Sequence, residues 1–179
     1  MSKNILVISA SLRNGSNSDM LADEFMRGAL ESGNKAEKIT LCGKSINFCK
    51  GCLACQKTGK CVINDDMAEI LPKMQQADVI CFASPVYFYD ICGQLKTFLD
   101  RTNPLFPAEY NFTDIYFLLT AADIEQSASE GPLKGLQGWI DCFENAGLKG
   151  VVCGLGAKKP GDVKSMSAMN EAYMLGKQA

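Results

Sequence analysis

The strongest constraint on the fold of this chain is an alternation that repeats along its whole length. A short apolar run of strand length is followed by a stretch of helical periodicity, and this happens five times. "NILVISA" at 4–10 reads as a buried strand, and the helix after it places Leu21, Phe25 and Ala29 on one face with Gly33 as its stop. "KAEKITLC" at 35–42 is a second, edge-like strand. In "NDDMAEILPKMQQAD", Asn64 offers an N-cap and two carboxylates occupy the first turn, where the helix dipole favours them. Met67, Ile70, Leu71 and Met74 share its inner face, and Pro72 is expected to kink or split it. "DVICFASP" at 78–85 precedes "GQLKTFLDR", whose Leu95, Phe98 and Leu99 point inward. "TDIYFLLTA" at 113–121 precedes a helix predicted to start with Pro132 and end at Gly147, with Leu133, Leu136, Ile140 and Phe143 as its buried stripe. "KGVVCGL" is the last strand, and Asp162 caps the last helix. Strands that alternate with helices in this way build an α/β doubly wound parallel sheet, with helices on both faces. No linker or repeat interrupts the pattern, so residues 1–179 are expected to form one domain.

Ligands of such sheets bind at the carboxyl ends of the strands, so the loops there carry the functional reading. "SASLRNGSNSD" follows the first strand and runs into a helix. Its hydroxyls at Ser9, Ser11, Ser16 and Ser18, the Asn17 amide and the fork of Arg13 suit a phosphate at a helix N-terminus. It has neither the dinucleotide glycine pattern nor the P-loop lysine. "SPVYFYDICG" follows the third strand: Pro85 holds the chain extended, and Tyr87, Phe88 and Tyr89 cluster where a planar cofactor would lie, with at least one ring expected to pack under the loop. "LTAADIEQSASEG", after the fourth strand, is small, polar and acidic and suits close backbone approach to a cofactor edge. "GLGAKKPGDV", after the fifth, lacks dinucleotide glycine spacing and carries little weight as a binding loop.

Composition excludes several classes. A net charge of −2 with no Lys/Arg cluster argues against a general nucleic-acid binder and against a membrane surface. The apolar runs are too short to span a bilayer, and the N-terminal segment lacks a signal-peptide layout, so the expected location is the cytoplasm. The absence of histidine removes triads, histidine metal sites and histidine acid–base chemistry, which leaves the hard chemistry to a cofactor. Nine cysteines in a reducing compartment do not imply disulfides. Cys81, Cys142 and Cys153, and also Cys42 and Cys92, read as small buried apolar side chains. The segment "CKGCLACQKTGKC" is too polar for that reading.

Four stretches, "SASLRNGSNSD", "INFCKGCLACQKTGKCVINDDM", "ADVICFASPVYF" and "GQLKTFLDR", resemble the flavodoxin-like NADPH-dependent FMN reductase family, which usually has a proline where Leu12 stands. The resemblance implies a flavodoxin-like five-stranded sheet of order 2-1-3-4-5 and bound FMN. Ser11, Arg13, Ser16, Asn17 and Ser18 would hold the phosphate. Pro85, Val86, Tyr87 and Phe88 would border the isoalloxazine ring, with Thr120, Ala121, Ala122 and Asp123 on its other side. NAD(P)H would be the co-substrate, and a quinone, free flavin, metal ion, other small molecule or redox protein the acceptor. Subunits would complete the site, as a homodimer or homotetramer. Asp100 and Arg101 read as a structural or subunit-contact pair.

Cys49, Cys52, Cys55 and Cys61, spaced two, two and five residues apart, resemble the cysteine motif of iron–sulfur flavoproteins, which implies a [4Fe–4S] cluster. Four thiolates also suit zinc, and bare reduced thiols are a third alternative. Three functions stay open on the sequence: an FMN-dependent NAD(P)H oxidoreductase, a flavin and iron–sulfur electron carrier, and a non-catalytic flavin or thiol redox sensor.

Overall fold

The computed structural model describes residues 2–179. In chain order the elements are β1 (Asn4–Ser9), α1 (Asn17–Glu31), β2 (Lys35–Thr40), α2 (Ala54–Thr58), α3 (Met67–Gln76), β3 (Val79–Tyr87), β4 (Asp90–Ile91), α4 (Gly93–Asp100), β5 (Asp114–Ala121), α5 (Glu130–Ile140), β6 (Gly147–Leu155) and α6 (Ser167–Gln178). The sheet runs β2-β1-β3-β5-β6, with every neighbour along that path parallel. Counting only these five strands, this is the expected flavodoxin-like order.

The strands are apolar throughout because both faces are covered. Side chains alternate between the two layers. Leu6 and Ile8 of β1, Ile80 and Phe82 of β3, and Ile115 and Phe117 of β5 face α3, α4 and α5. Ile5 and Val7, Val79 and Cys81, and Tyr116 and Leu118 face α1 and α6. The registers bring Ser9 beside Ala83, Pro85 beside Thr120, and Thr120 beside Gly154. The carboxyl ends of these strands therefore lie along one edge. Among the described residues no helix is long and apolar enough to cross a membrane.

Several local expectations are corrected. Pro72 does not split its helix: α3 runs unbroken across it. Asn64 is not the cap of α3, which begins two residues after Asp65, whose carboxylate accepts the Met67 N–H at 3.2 Å. The helix before the last strand starts at Glu130, after a 3₁₀ turn over Gln126–Ser129, and ends at Ile140 rather than Gly147. Gly147 instead opens β6, donating its N–H to Thr113 O at 2.8 Å, and Phe143 is buried from the connecting turn. Asp162 caps no helix: it is the first residue of a 3₁₀ turn over Asp162–Ser165 that follows Gly161, its carboxylate accepts the N–H groups of Lys158 and Lys159 in the preceding loop, and α6 begins only at Ser167. Cys81 and Cys92 are buried, Cys153 is half-buried, but Cys142 and Cys42 are exposed. The Cys142 sulfur rests on the Gly138 carbonyl at the end of α5, where one helix face looks to solvent. Two elements have no counterpart in the sequence reading: α2, inside the cysteine segment, and the short β4, antiparallel to the end of β3.

Candidate functional site at the strand ends

Ser9 ends β1 with its Oγ fully buried and without a partner. The chain then turns through residues 10–15 into α1, capped by Ser16, whose Oγ accepts the Asp19 N–H at 3.4 Å. Ser16 Oγ and Ser18 Oγ lie 3.0 Å apart, and Ser11 Oγ accepts the Arg13 N–H at 3.2 Å. Ser11, Ser16, Asn17 and Ser18 are buried while Arg13 is exposed, its Nη1 donating to Lys158 O at 3.2 Å. A fifteen-residue helix presents free N–H groups and the positive end of its dipole at this point. The structure thus collects the hydroxyls, the arginine and the helix start at one spot. An unpartnered buried hydroxyl and this donor set fit a phosphate monoester.

Asn17 has a different geometry from its neighbours. Its Nδ2 donates to Ala157 O (3.3 Å) and Lys159 O (2.9 Å), and its Oδ1 accepts the N–H groups of Gly161 (2.9 Å) and Val163 (3.3 Å). The Asn17 side chain therefore laces the loop after β6 to the start of α1. That loop, given little weight on its glycines, forms one wall of the site. Its nearness was hidden because β6 lies at the far side of the sheet, and the loop returns only because α6 packs against α1.

The third-strand loop is a tight hairpin. Tyr87 pairs with Asp90, leaving Phe88 (φ 51°) and Tyr89 (φ 60°) as a two-residue turn with both residues left-handed. Such type I′ turns normally take Asn or Gly, and bulky residues there store strain on the order of 1–3 kcal/mol each. Two contacts hold the turn. Tyr89 Oη donates to Asp123 Oδ2 at 2.7 Å, and α5 is so close that a Cβ at Gly131 would collide with the Tyr89 carbonyl. The Tyr89 hydrogen bond holds the Asp123 carboxyl below its ordinary range and pushes the Tyr89 phenol up. None of the three rings packs under the loop, contrary to expectation: Tyr87, Phe88 and Tyr89 are all exposed, Phe88 completely. The turn holds them outward. Pro85 and Val86 are half-buried, Thr120 and Ala121 buried, Ala122 exposed and Asp123 half-buried, all at the same sheet edge.

The cysteine segment packs against the end of α4, the 3₁₀ turn over Asn103–Leu105 and one face of α3. A groove of about 400 Å³ lies between Leu12, the 41–48 stretch and the start of α4. Cys49 and Cys52 are exposed, Cys55 is buried in α2 and Cys61 is half-buried. Burial pushes the Cys55 thiol up, and the neighbouring Cys61 and Cys49 add to this. Among the described residues no three Cys, Asp or Glu side chains converge as a metal-holding group. Four thiols on one loop match a four-thiolate centre in number and chemistry, but here they do not close around one point.

The base of this segment is fixed by Arg101. Rather than pairing with Asp100, whose partner is Lys96 at 2.6 Å, Arg101 is fully buried against Asp65, with Nη1–Oδ2 at 2.6 Å and Nη2–Oδ1 at 2.9 Å. Burial works to raise the Asp65 carboxyl, but hydrogen bonds from Arg101, Asn47 and the Met67 N–H outweigh it and hold its pKa at about 2. The sequence did carry a signal: Arg101 continues the inward stripe of Leu95 and Phe98 at helical spacing.

Residues 3–130 match the family described as NADPH-dependent FMN reductase. An iron–sulfur flavoprotein of Methanocaldococcus jannaschii is 44% identical over 101 residues, covering 56% of this chain and 52% of that protein. The chain spans about half the length of the iron–sulfur relatives it matches. YwqN of Bacillus subtilis, named as a proposed NAD(P)H-dependent FMN-containing oxidoreductase, is 30% identical, covering 98% of this chain and 97% of that one. Among solved structures, an NAD(P)H:quinone oxidoreductase from Methanothermobacter marburgensis superposes with a TM-score of 0.78 at 18% identity over 99% of this chain and 96% of that one, a likeness of fold. Because the family match runs from β1 to the start of α5 and the YwqN match covers nearly every residue, the chain belongs to the NADPH-dependent FMN reductase family.

Proposed function

We propose that the chain binds FMN at the strand ends and works as an NAD(P)H oxidoreductase that passes electrons to an acceptor. The observation that carries this reading is the buried hydroxyl set at the start of α1, with the orphaned Ser9 Oγ behind it. Ser11, Ser16 and Ser18 supply hydroxyl donors and Arg13 the charge, while Asn17 holds the 157–163 wall against them. Pro85 to Phe88 border the ring on one side and Thr120 to Asp123 on the other, joined by the Tyr89–Asp123 hydrogen bond. When bound, a flavin supplies hydride acceptance and onward electron transfer. The chain's own part is to hold, orient and shield, a division of labour that suits a protein without histidine. Exposed Tyr87 and Phe88 are placed to cover a nicotinamide or acceptor, and in a homodimer or homotetramer they would be buried by a second subunit.

Titration of the flavin-free protein with FMN, riboflavin and FAD tests the reading. FMN is expected to bind one per chain and much more tightly than riboflavin, because the phosphate supplies the charge-assisted bonds; equal affinity for riboflavin would defeat it. Arg13→Ala should weaken FMN by about ten- to hundredfold, the worth of one charge-assisted hydrogen bond of roughly 1.5–3 kcal/mol. An unchanged affinity in the same titration would leave the phosphate to the hydroxyls and the helix.

A second reading, a flavin and [4Fe–4S] electron carrier, is favoured by the stapled cysteine loop and the resemblance of that loop to iron–sulfur flavoproteins. Cys49, Cys52, Cys55 and Cys61 would be the ligands, and the cluster would serve the outgoing electrons. Iron and sulfide content after anaerobic purification separates the two readings.

A further inference from the structure

A cavity of about 610 Å³ lies between the cysteine segment, α3 and the 3₁₀ turn over Asn103–Leu105. None of its lining residues belongs to the loops that follow β1, β3, β5 or β6, so it is separate from the strand-end site. Its volume is in the range of small-molecule sites. Its walls are tied to one another. Gln56 Nε2 donates to Asn103 Oδ1 at 3.1 Å and joins the segment to the turn. Gln75 Nε2 donates to Glu109 O at 2.6 Å, and the Asn111 N–H donates to Gln75 O at 3.0 Å, which joins α3 to the chain beyond the turn. Arg101 Nη2 reaches Ile63 O at 3.4 Å and Cys61 Sγ at 3.6 Å and so fixes the wall that the segment supplies.

Leu71 and Pro72 form one apolar wall and Pro104 and Leu105 another. Two polar features stand against them. α3 runs unbroken across Pro72, which has no N–H, so the Ala68 carbonyl lacks its helical partner. Ala68 and Pro72 both line the cavity, which puts this free acceptor on its wall. Lys60 is the one charged residue in the lining, and among the described residues it forms no ion pair. Its backbone is held in place, the N–H donating to Thr58 Oγ1 at 3.3 Å. An apolar enclosure with one cation and one open acceptor selects a ligand by an apolar body, a negative charge and a donor. We propose that this cavity is a second small-molecule site, which takes an apolar organic anion carrying a hydroxyl or N–H donor. The anion meets Lys60, the donor meets the Ala68 carbonyl, and the body fills the space between the apolar walls. Pro72 is then a recognition feature, because an alanine there would return to Ala68 its helical partner and close the acceptor. Binding here needs neither a flavin nor a thiol.

Three probes separate the contributions. A hydroxynaphthalene sulfonate carries all three groups, naphthalene sulfonate lacks the donor, and naphthol lacks the charge. Calorimetric titration of the purified protein, with and without added FMN, should find one site per chain for the hydroxysulfonate. It should bind about two- to tenfold more tightly than naphthalene sulfonate, the worth of one neutral hydrogen bond. Pro72→Ala should erase that difference and leave the affinity for naphthalene sulfonate as it was. Lys60→Gln should weaken both sulfonates by about two- to fivefold and leave naphthol unchanged. Ala68→Trp, which puts an indole into the cavity, should abolish binding of all three. A wild type that binds none of them, a preference for the hydroxysulfonate that survives Pro72→Ala, or binding that survives Ala68→Trp would overturn the assignment. So would binding that FMN abolishes, since the probe would then occupy the strand ends.

Discussion

Asp65→Ala is expected to destabilise the protein by about 3–5 kcal/mol, because it strands a fully buried guanidinium without its counter-charge. The Asp65 side chain is itself 2% exposed, so no water replaces it at the contact. The same change removes the acceptor for the Asn47 and Met67 N–H groups, so the cysteine segment and the start of α3 loosen together. Urea unfolding followed by circular dichroism measures the loss, and a change below about 1 kcal/mol, the size of an exposed pair, would show that the pair is not a staple. The pair also has a pH signature. Against an ordinary carboxyl value of 3.8, a folded-state pKa of about 2 contributes roughly 2–3 kcal/mol. The folded pKa is depressed, so this contribution is complete above the ordinary value and is lost as the pH falls through about 2. The stability gap between wild type and Asp65→Asn should therefore shrink between about pH 4 and pH 2.

Asn17→Ala should cost about 2–3 kcal/mol and also weaken FMN, since four hydrogen bonds from one buried amide hold two loops together. Its cost exceeds that of an ordinary polar deletion because the carbonyls of Ala157 and Lys159 and the N–H groups of Gly161 and Val163 all lose a partner. Asn17→Asp separates the two effects. It keeps an acceptor for the two N–H groups but loses both donors and sets a negative charge beside the phosphate, so it should harm FMN affinity more than stability. Denaturation midpoints and flavin titrations on both variants check this. An Asn17→Ala protein of full stability would mean that the 157–163 loop is held by the packing of α6 alone.

The layers of the fold were legible because a strand buried on both faces leaves an unbroken apolar run, and β1, β3 and β5 all do. The serine-rich loop after β1, which we propose holds the phosphate, stood out for a local reason: its hydroxyls sit within a few residues of the helix it leads into. What stayed hidden depended on distance or on strain. The Phe88–Tyr89 turn breaks the residue preferences of a type I′ hairpin, so no turn rule could find it; only the close approach at Gly131 and the Asp123 bond make it tenable. The five-residue α2 is too short to show periodicity. Arg101 and Asp65 are separated by two helices, α3 and α4, and the β3–β4 hairpin, and their pairing appears only once the end of α4 packs beside the start of α3. The partnership of Asn17 with the 157–163 loop likewise needs α1 and α6 to meet.

The central claim is that a flavin held by the strand-end loops takes its electrons from a nicotinamide. The most direct test is to load the flavin-free protein with FMN under anaerobic conditions, mix it with NADH and with NADPH, and follow the flavin absorption. The account predicts that one equivalent of at least one nicotinamide bleaches the bound FMN, and that Cys52→Ser, which leaves the strand ends untouched, is bleached at nearly the same rate. FMN that binds and stays oxidised with both nicotinamides, or that is reduced in wild type but not in Cys52→Ser, would contradict it.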